Sequence, residues 1–118
     1  MSDWKTLDSE AQLSAILEIS RIKPVLIYKH STRCPVCTGV KSELEKNWDV
    51  PANVAEFYYL DLIKYREISA KVSQLFNVIH QSPQLIIIKN GKAVQNESHW
   101  AISTRKIKQA LRQFTRLL

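Results

Sequence analysis

The stretch Pro24-Val25-Leu26-Ile27-Tyr28-Lys29-His30-Ser31-Thr32-Arg33-Cys34-Pro35-Val36-Cys37 changes character twice. It begins as a continuous apolar run rich in β formers, the pattern of a strand buried on both faces rather than of an alternating surface strand. From Lys29 to Arg33 it is polar and reads as a turn. Cys34-Pro35 then opens a helix, because Val40, Leu44 and Trp48 recur at i, i+4 and i+8, and a proline in the first helical turn sacrifices no hydrogen bond. Two cysteines three positions apart therefore fall at the junction between a buried strand and a helix N-terminus.

Working outward, Ser9-Glu10-Ala11-Gln12 reads as a capping box. Leu13, Ile16 and Leu17 then repeat at helical spacing until Lys23-Pro24 stops the helix. On the other side, Ala55 to Leu62 is a second strand, and Ile68, Val72, Leu75 and Phe76 line a third helix that Asn77 ends. Ser82-Pro83 precedes a third strand, Gln84 to Lys89. Asn90-Gly91 is a strong hairpin signal, and Lys92 to Glu97 returns as an antiparallel fourth strand. Ser103 or Thr104 caps a last helix with an inner face of Ile107, Ala110 or Leu111, Phe114 and Leu118. Strands joined through a helix need a crossover and run parallel, whereas the hairpin forces an antiparallel pair. These elements predict an α/β fold in a single domain over residues 1–118, with a four-stranded mixed β-sheet and helices on both faces. A Cys-x-x-Cys at the end of the first of these strands and a proline directly before the third complete the pattern of a thioredoxin fold.

Composition agrees with one core: 118 residues, 45% apolar and 24% charged, with only 2 glycines and no internal repeat. The net charge of +6 is spread among acids except after Ser98, where Arg105, Lys106, Lys108, Arg112 and Arg116 stand without an Asp or Glu. That tail reads as a solvated helix face whose late cations suit the negative end of the helix dipole, and no nucleic-acid motif accompanies it. Met1-Ser2-Asp3-Trp4-Lys5-Thr6 lacks the basic start and apolar run of a secretory leader, and no apolar run approaches the roughly 20 residues that span a bilayer. The expectation is a cytoplasmic monomer with no membrane or nucleic-acid partner. In that compartment a close cysteine pair serves catalysis or metal binding rather than stapling.

The attacking species in disulfide exchange is a thiolate. Cys34, at or just before the first helical residue, faces free backbone N–H groups and the positive dipole end. Cys37 lies one turn further in, where donors are already used by the helix. Hence Cys34 is the predicted nucleophile and Cys37 the resolving thiol. Lys29, His30 and Arg33 are expected to hold the Cys34 pKa below the free value of about 8.5 if they turn inward, with Arg33 exposed to an anionic substrate group. Tyr28 stands where many thioredoxins carry a buried acid that assists the second thiol. A cis Ser82-Pro83 bond would turn backbone outward beside Cys34 to hold an extended substrate, with His80 and Gln81 in the same groove. The alternative is a trans proline at a strand start.

Lys29-His30-Ser31-Thr32-Arg33-Cys34-Pro35, joined with His80-Gln81-Ser82-Pro83-Gln84 and with Asn90-Gly91-Lys92 through Ser98-His99-Trp100, resembles the monothiol bacilliredoxin family, also called YtxJ-like. The resemblance runs from about Pro24 to the last helix. It implies a thioredoxin fold and removal of bacillithiol from protein mixed disulfides, with Cys34 taking up the thiol. S-thiolated client proteins and a low-molecular-weight thiol are then the partners, bacillithiol is a co-substrate, and no cofactor or metal is bound. The resemblance carries over Cys34 as nucleophile, Pro83 as groove proline, and His30, Ser82 and His99 as site residues. The sequence departs from the family at Cys37, where serine is common, so a second thiol is present to release bacillithiol by closing a Cys34–Cys37 disulfide. His99 and Trp100 otherwise read as structural, the imidazole bonded to backbone and the indole covering the last helix.

Other readings remain at this stage. Within the redox class, the runner-up reading is a general thioredoxin- or glutaredoxin-like protein disulfide reductase. From different classes come a redox-inactive adaptor and a zinc module with Cys34 and Cys37 joined by His30 or His80.

Overall fold

The computed structural model describes residues 3–118; Met1 and Ser2, part of the stretch read above for a leader, lie outside them. The chain runs β1 (Lys5–Thr6), α1 (Glu10–Ile19), β2 (Val25–His30), α2 (Pro35–Asn47), β3 (Glu56–Asp61), α3 (Arg66–Leu75), β4 (Gln84–Lys89), β5 (Lys92–Ser98), a 3₁₀ turn (His99–Ala101) and α4 (Thr104–Leu111). One sheet of order β1-β3-β2-β4-β5 results, parallel across β1, β3 and β2 and antiparallel from β2 through β5. The four expected strands are there. The fifth, β1, corrects the count: two residues carry no periodic signal, and Lys5 and Thr6 become a strand only by pairing with Tyr58 and Tyr59, far along the chain.

Local chemistry accounts for most boundaries. Gln12 accepts from the Ser9 backbone N–H, closing the capping box that starts α1. Asn90 and Gly91 take φ of 53° and 74°, the left-handed pair that a tight hairpin requires. Ser103 caps α4 by accepting from the Lys106 N–H.

Strand alternation sorts the core into two layers. Leu26, Tyr28, Phe57, Leu85 and Ile87 pack under Val40 and Leu44 of α2 and Ile107 and Leu111 of α4. Val25, Ile27, Leu60, Ile86 and Ile88 pack under α1 and α3 through Leu13, Ile16, Ile68 and Val72. Leu75, expected on the inner face of α3, is exposed instead, and Phe114 and Leu118 follow the end of α4 as half-buried residues. β2 and β4 are flanked by strands on both sides, so their backbone groups are satisfied within the sheet. Consequently β2 extends two residues beyond the apolar run, and Lys29 and His30, read as a turn, are its last two residues, paired with Leu60 and Asp61.

Candidate active site

The site forms where β2 hands over to α2. Cys34 is the N-cap residue, extended at φ −110° and ψ 117°, with Pro35 as the first helical residue. Cys34 is half-buried as a residue and both cysteines are free thiols. The Cys37 backbone N–H first, and to a lesser degree the Cys37 thiol and the Val36 N–H, favour the thiolate and hold the Cys34 pKa below the ordinary thiol value, with burial second in size and opposing them. Cys37 is fully buried. Burial pushes its thiol up, opposed by the Ser82 hydroxyl, with Oγ 3.2 Å from Sγ, and by the Ser31 N–H, 3.4 Å from the same sulfur. An accessible sulfur that favours thiolate stands in front of an enclosed sulfur that favours thiol, the order that a capture step followed by a resolving step requires.

The Ser82-Pro83 bond is cis. The Ser82 carbonyl lies 3.9 Å from Cys34 Sγ, and the Pro83 carbonyl accepts from the His99 N–H at 3.0 Å, tying the 3₁₀ turn to the proline. His99 takes φ 57° there. Its main chain, not its imidazole, makes the backbone bond, and the exposed Trp100 indole lies over Gly39 of α2 rather than over the last helix.

Beneath the sulfurs, Tyr28 Oη donates to the Cys37 carbonyl at 3.4 Å and sits 3.3 Å from His30 Nδ1. The rings of Tyr28, His30 and Tyr59 form a cluster in which Tyr28 and His30 are buried and Tyr59 is half-buried. Burial raises the Tyr28 pKa above its usual value and pushes Tyr59 up to about 12. It also lowers His30, helped by nearby Lys41. No carboxylate occupies the Tyr28 position, so donors to Cys37, rather than a buried acid, support its deprotonation.

The expected cations are redistributed. Alternation along β2 sends His30 to the α2 side, 5% exposed and neutral, and Lys29 to the α3 side, where Nζ meets the Ser69 carbonyl, Ser73 Oγ and His80 Nδ1. Neither is among the groups that shift the Cys34 thiol, and the imidazole of His30 is enclosed beside Tyr28. Arg33 is exposed next to Cys34, and Ser82 and Pro83 stand across from it, so these three members of the predicted binding set do gather there. Gln81 is exposed, while His80 turns back to Lys29. Among the described residues no three His, Cys, Asp or Glu side chains converge as a metal site, since His30 and His80 face opposite sides of the sheet.

Residues 5–107 match the profile of the family described as Monothiol bacilliredoxin BrxC. The chain belongs to this family. Among solved structures, a thioredoxin-fold protein assigned as an oxidoreductase superposes with a TM-score of 0.76 at 27% identity, covering 92% of this chain and 94% of the other. A Schistosoma mansoni thioredoxin gives 0.69 at 25% identity over 97% of both chains. A Malassezia sympodialis thioredoxin gives 0.72 at 22% identity, over 93% of this chain and 89% of that one, a likeness of fold. This bacilliredoxin is a thiol–disulfide oxidoreductase with a thioredoxin fold. Its Cys37 is enclosed and hydrogen-bonded, not a chance surface cysteine.

Two site residues carry no functional signal of their own in the sequence. Ser31 reads as turn polarity, although its N–H reaches Cys37. Tyr59 reads only as a strand residue. Its register partner is Tyr28, and parallel pairing of the two predicted strands was the one signal that pointed to it.

Proposed function

We propose that this bacilliredoxin removes a low-molecular-weight thiol, bacillithiol, from mixed disulfides on client proteins, and that it does so in a thiol-reducing compartment, the cytoplasm. The observation that carries the reading is the asymmetry of the pair: an accessible Cys34 sulfur stabilised by N–H groups, backed by an enclosed Cys37. In the first step the Cys34 thiolate attacks the bacillithiol sulfur. The client thiolate leaves and takes a proton from water, and a Cys34–bacillithiol disulfide forms. In the second, Cys37 loses its proton to water as the Ser82 hydroxyl and Ser31 N–H support the thiolate. Cys37 attacks Cys34 Sγ, bacillithiol leaves as thiolate, and the Cys34–Cys37 disulfide closes. A dithiol reductant then supplies two electrons to reopen it. Because the second thiol makes the cycle self-resolving, the chain differs in mechanism from relatives with serine at that position.

The test is to trap Cys37→Ser with a client bearing bacillithiol and weigh the adduct on Cys34. The mass of bacillithiol is expected. Retention of the client itself on Cys34 would instead indicate a general dithiol reductase of protein disulfides, a reading that Cys37 itself favours.

A further inference from the structure

Lys29 is a fully buried ammonium with no carboxylate partner among the described residues. Burial lowers its pKa to about 8, so it remains mostly charged at neutral pH. A buried cation is destabilising unless its surroundings answer it, and here they do so only with a carbonyl, a hydroxyl and an imidazole nitrogen. Each of two groups is thereby oriented. Ser73 Oγ, accepting from Lys29, keeps its own proton to donate. His80 Nδ1 also accepts from Lys29, which places the imidazole proton on Nε2; burial and Lys29 both lower the His80 pKa, keeping the ring neutral.

Both groups line an open cleft of about 420 Å³ against α3, together with Arg66. Its remaining lining is Leu62, Ala70 and Ser69, with no acidic side chain. The cleft thus offers three outward donors, Arg66, Ser73 O–H and His80 Nε2–H, in front of an uncompensated positive charge. It also adjoins the redox site. His80 precedes Ser82 by two residues, at most about 7 Å of extended chain, and the Ser82 carbonyl touches Cys34 Sγ. On the other side, the Leu62 N–H donates to the His30 carbonyl, just before the loop that carries Cys34.

We propose that this cleft is a subsite for a carboxylate on the non-sulfur part of the thiol that Cys34 captures, with Arg66 and His80 as its ligands and Lys29 as the positioning residue behind them. The inference deepens the exchange function and rests on it. Arg66 presents its guanidinium fork to the carboxylate, a charge-assisted contact. His80 and Ser73 donate to the second oxygen, and Leu62 and Ala70 flank the aliphatic stem. In the capture step the Cys34 thiolate attacks the thiol's sulfur, the S–S bond to the client breaks, the client leaves as thiolate, and the carboxylate remains in the cleft throughout.

The experiment uses Cys37→Ser protein and a single-cysteine peptide in mixed disulfide with 6-mercaptohexanoate or 8-mercaptooctanoate, or with the primary amide of either. The amide keeps length and leaving-group chemistry but removes the charge. Rates of adduct formation on Cys34, followed by intact mass, are referenced to each peptide's exchange with dithiothreitol. At low salt at least one carboxylate is expected to react about fivefold faster than its amide. Arg66→Ala and His80→Ala should each erase most of that preference by lowering the acid's rate toward that of its amide. Arg112→Ala, which removes an equal charge from the remote end of α4, should keep it. Equal rates for acid and amide at both lengths, or a preference that survives Arg66→Ala and His80→Ala, overturn the subsite while exchange itself stands. If none of the four mixed disulfides leaves its thiol on Cys34, the exchange reading falls and the subsite with it.

Discussion

The mouth of the site and its floor treat charge in opposite ways. At the mouth, backbone N–H groups at the start of α2 favour the thiolate of Cys34. On the floor the buried groups are pushed toward their neutral forms, Cys37, Tyr28 and Tyr59 upward and His30 downward, and Lys29 on the far face of the sheet is lowered as well. The lesson concerns what can activate a thiol at the end of a buried strand. A side-chain cation has to be close, and closeness here means burial, which either discharges the cation or turns it to other partners. Helix-terminal amides are fixed dipoles with no proton to lose, so they keep their effect where imidazole does not.

The largest effect should come from the mouth. Cys34→Ser is expected to abolish exchange, whereas Cys37→Ser leaves capture intact and accumulates an adduct on Cys34. Alkylation at pH 6, read by mass, should label Cys34 first. Faster labelling of Cys37 would reverse the assignment of mouth and floor.

Next in size is the Lys29 ammonium. Its folded pKa of about 8 lies below the unfolded value of 10.5, so between those pH values the unfolded chain binds more protons and stability should rise with pH. The gain amounts to about 3 kcal/mol at most. Lys29→Met has no such group, and urea unfolding at stepped pH should show the difference between the two proteins narrowing or reversing in favour of wild type from pH 8 upward. A pH-independent difference would mean that Lys29 is as well solvated folded as unfolded.

Ser82→Ala removes a hydroxyl that contacts the Cys37 sulfur. Losing one hydrogen bond to a charged group costs about 1.5 kcal/mol, roughly a tenfold slowing of the resolving step, with a pH profile moved upward. Capture by Cys34 should be unchanged and Ser82→Thr should restore resolution. A matching loss in capture would assign Ser82 to substrate binding alone.

The smallest effects test the mouth's independence from side chains. In Cys37→Ser, thiolate absorbance titration should find the Cys34 pKa unmoved by His30→Gln, and raised slightly by Arg33→Ala in a manner that salt erases. A clear rise on removing His30 would show that an imidazolium, and not the helix start alone, supports the thiolate.

Much of this was legible along the chain because it depends on neighbours in sequence. The capping box at Ser9, the Asn90-Gly91 turn, the helix opening at Cys34-Pro35 and the inequality of the two cysteines follow from residues within a turn of one another. What lay beyond reach depends on partners that only folding supplies. Lys29 and His30 look like a solvated turn because they are polar, yet ladder pairing to Leu60, Asp61 and Gln84 carries β2 through them. Strand alternation then buries them on opposite faces, one against α3 and His80, the other against Tyr59. β1 exists only as an edge on β3, and Trp100 finds Gly39 only because the Pro83 carbonyl anchors the turn before it. The amino-acid sequence by itself determined which sulfur stands at the helix start and is favoured as thiolate, since a helix N-terminus is a local property. Tertiary structure decided which charges surround it, since burial and pairing of a polar side chain are set by residues distant along the chain.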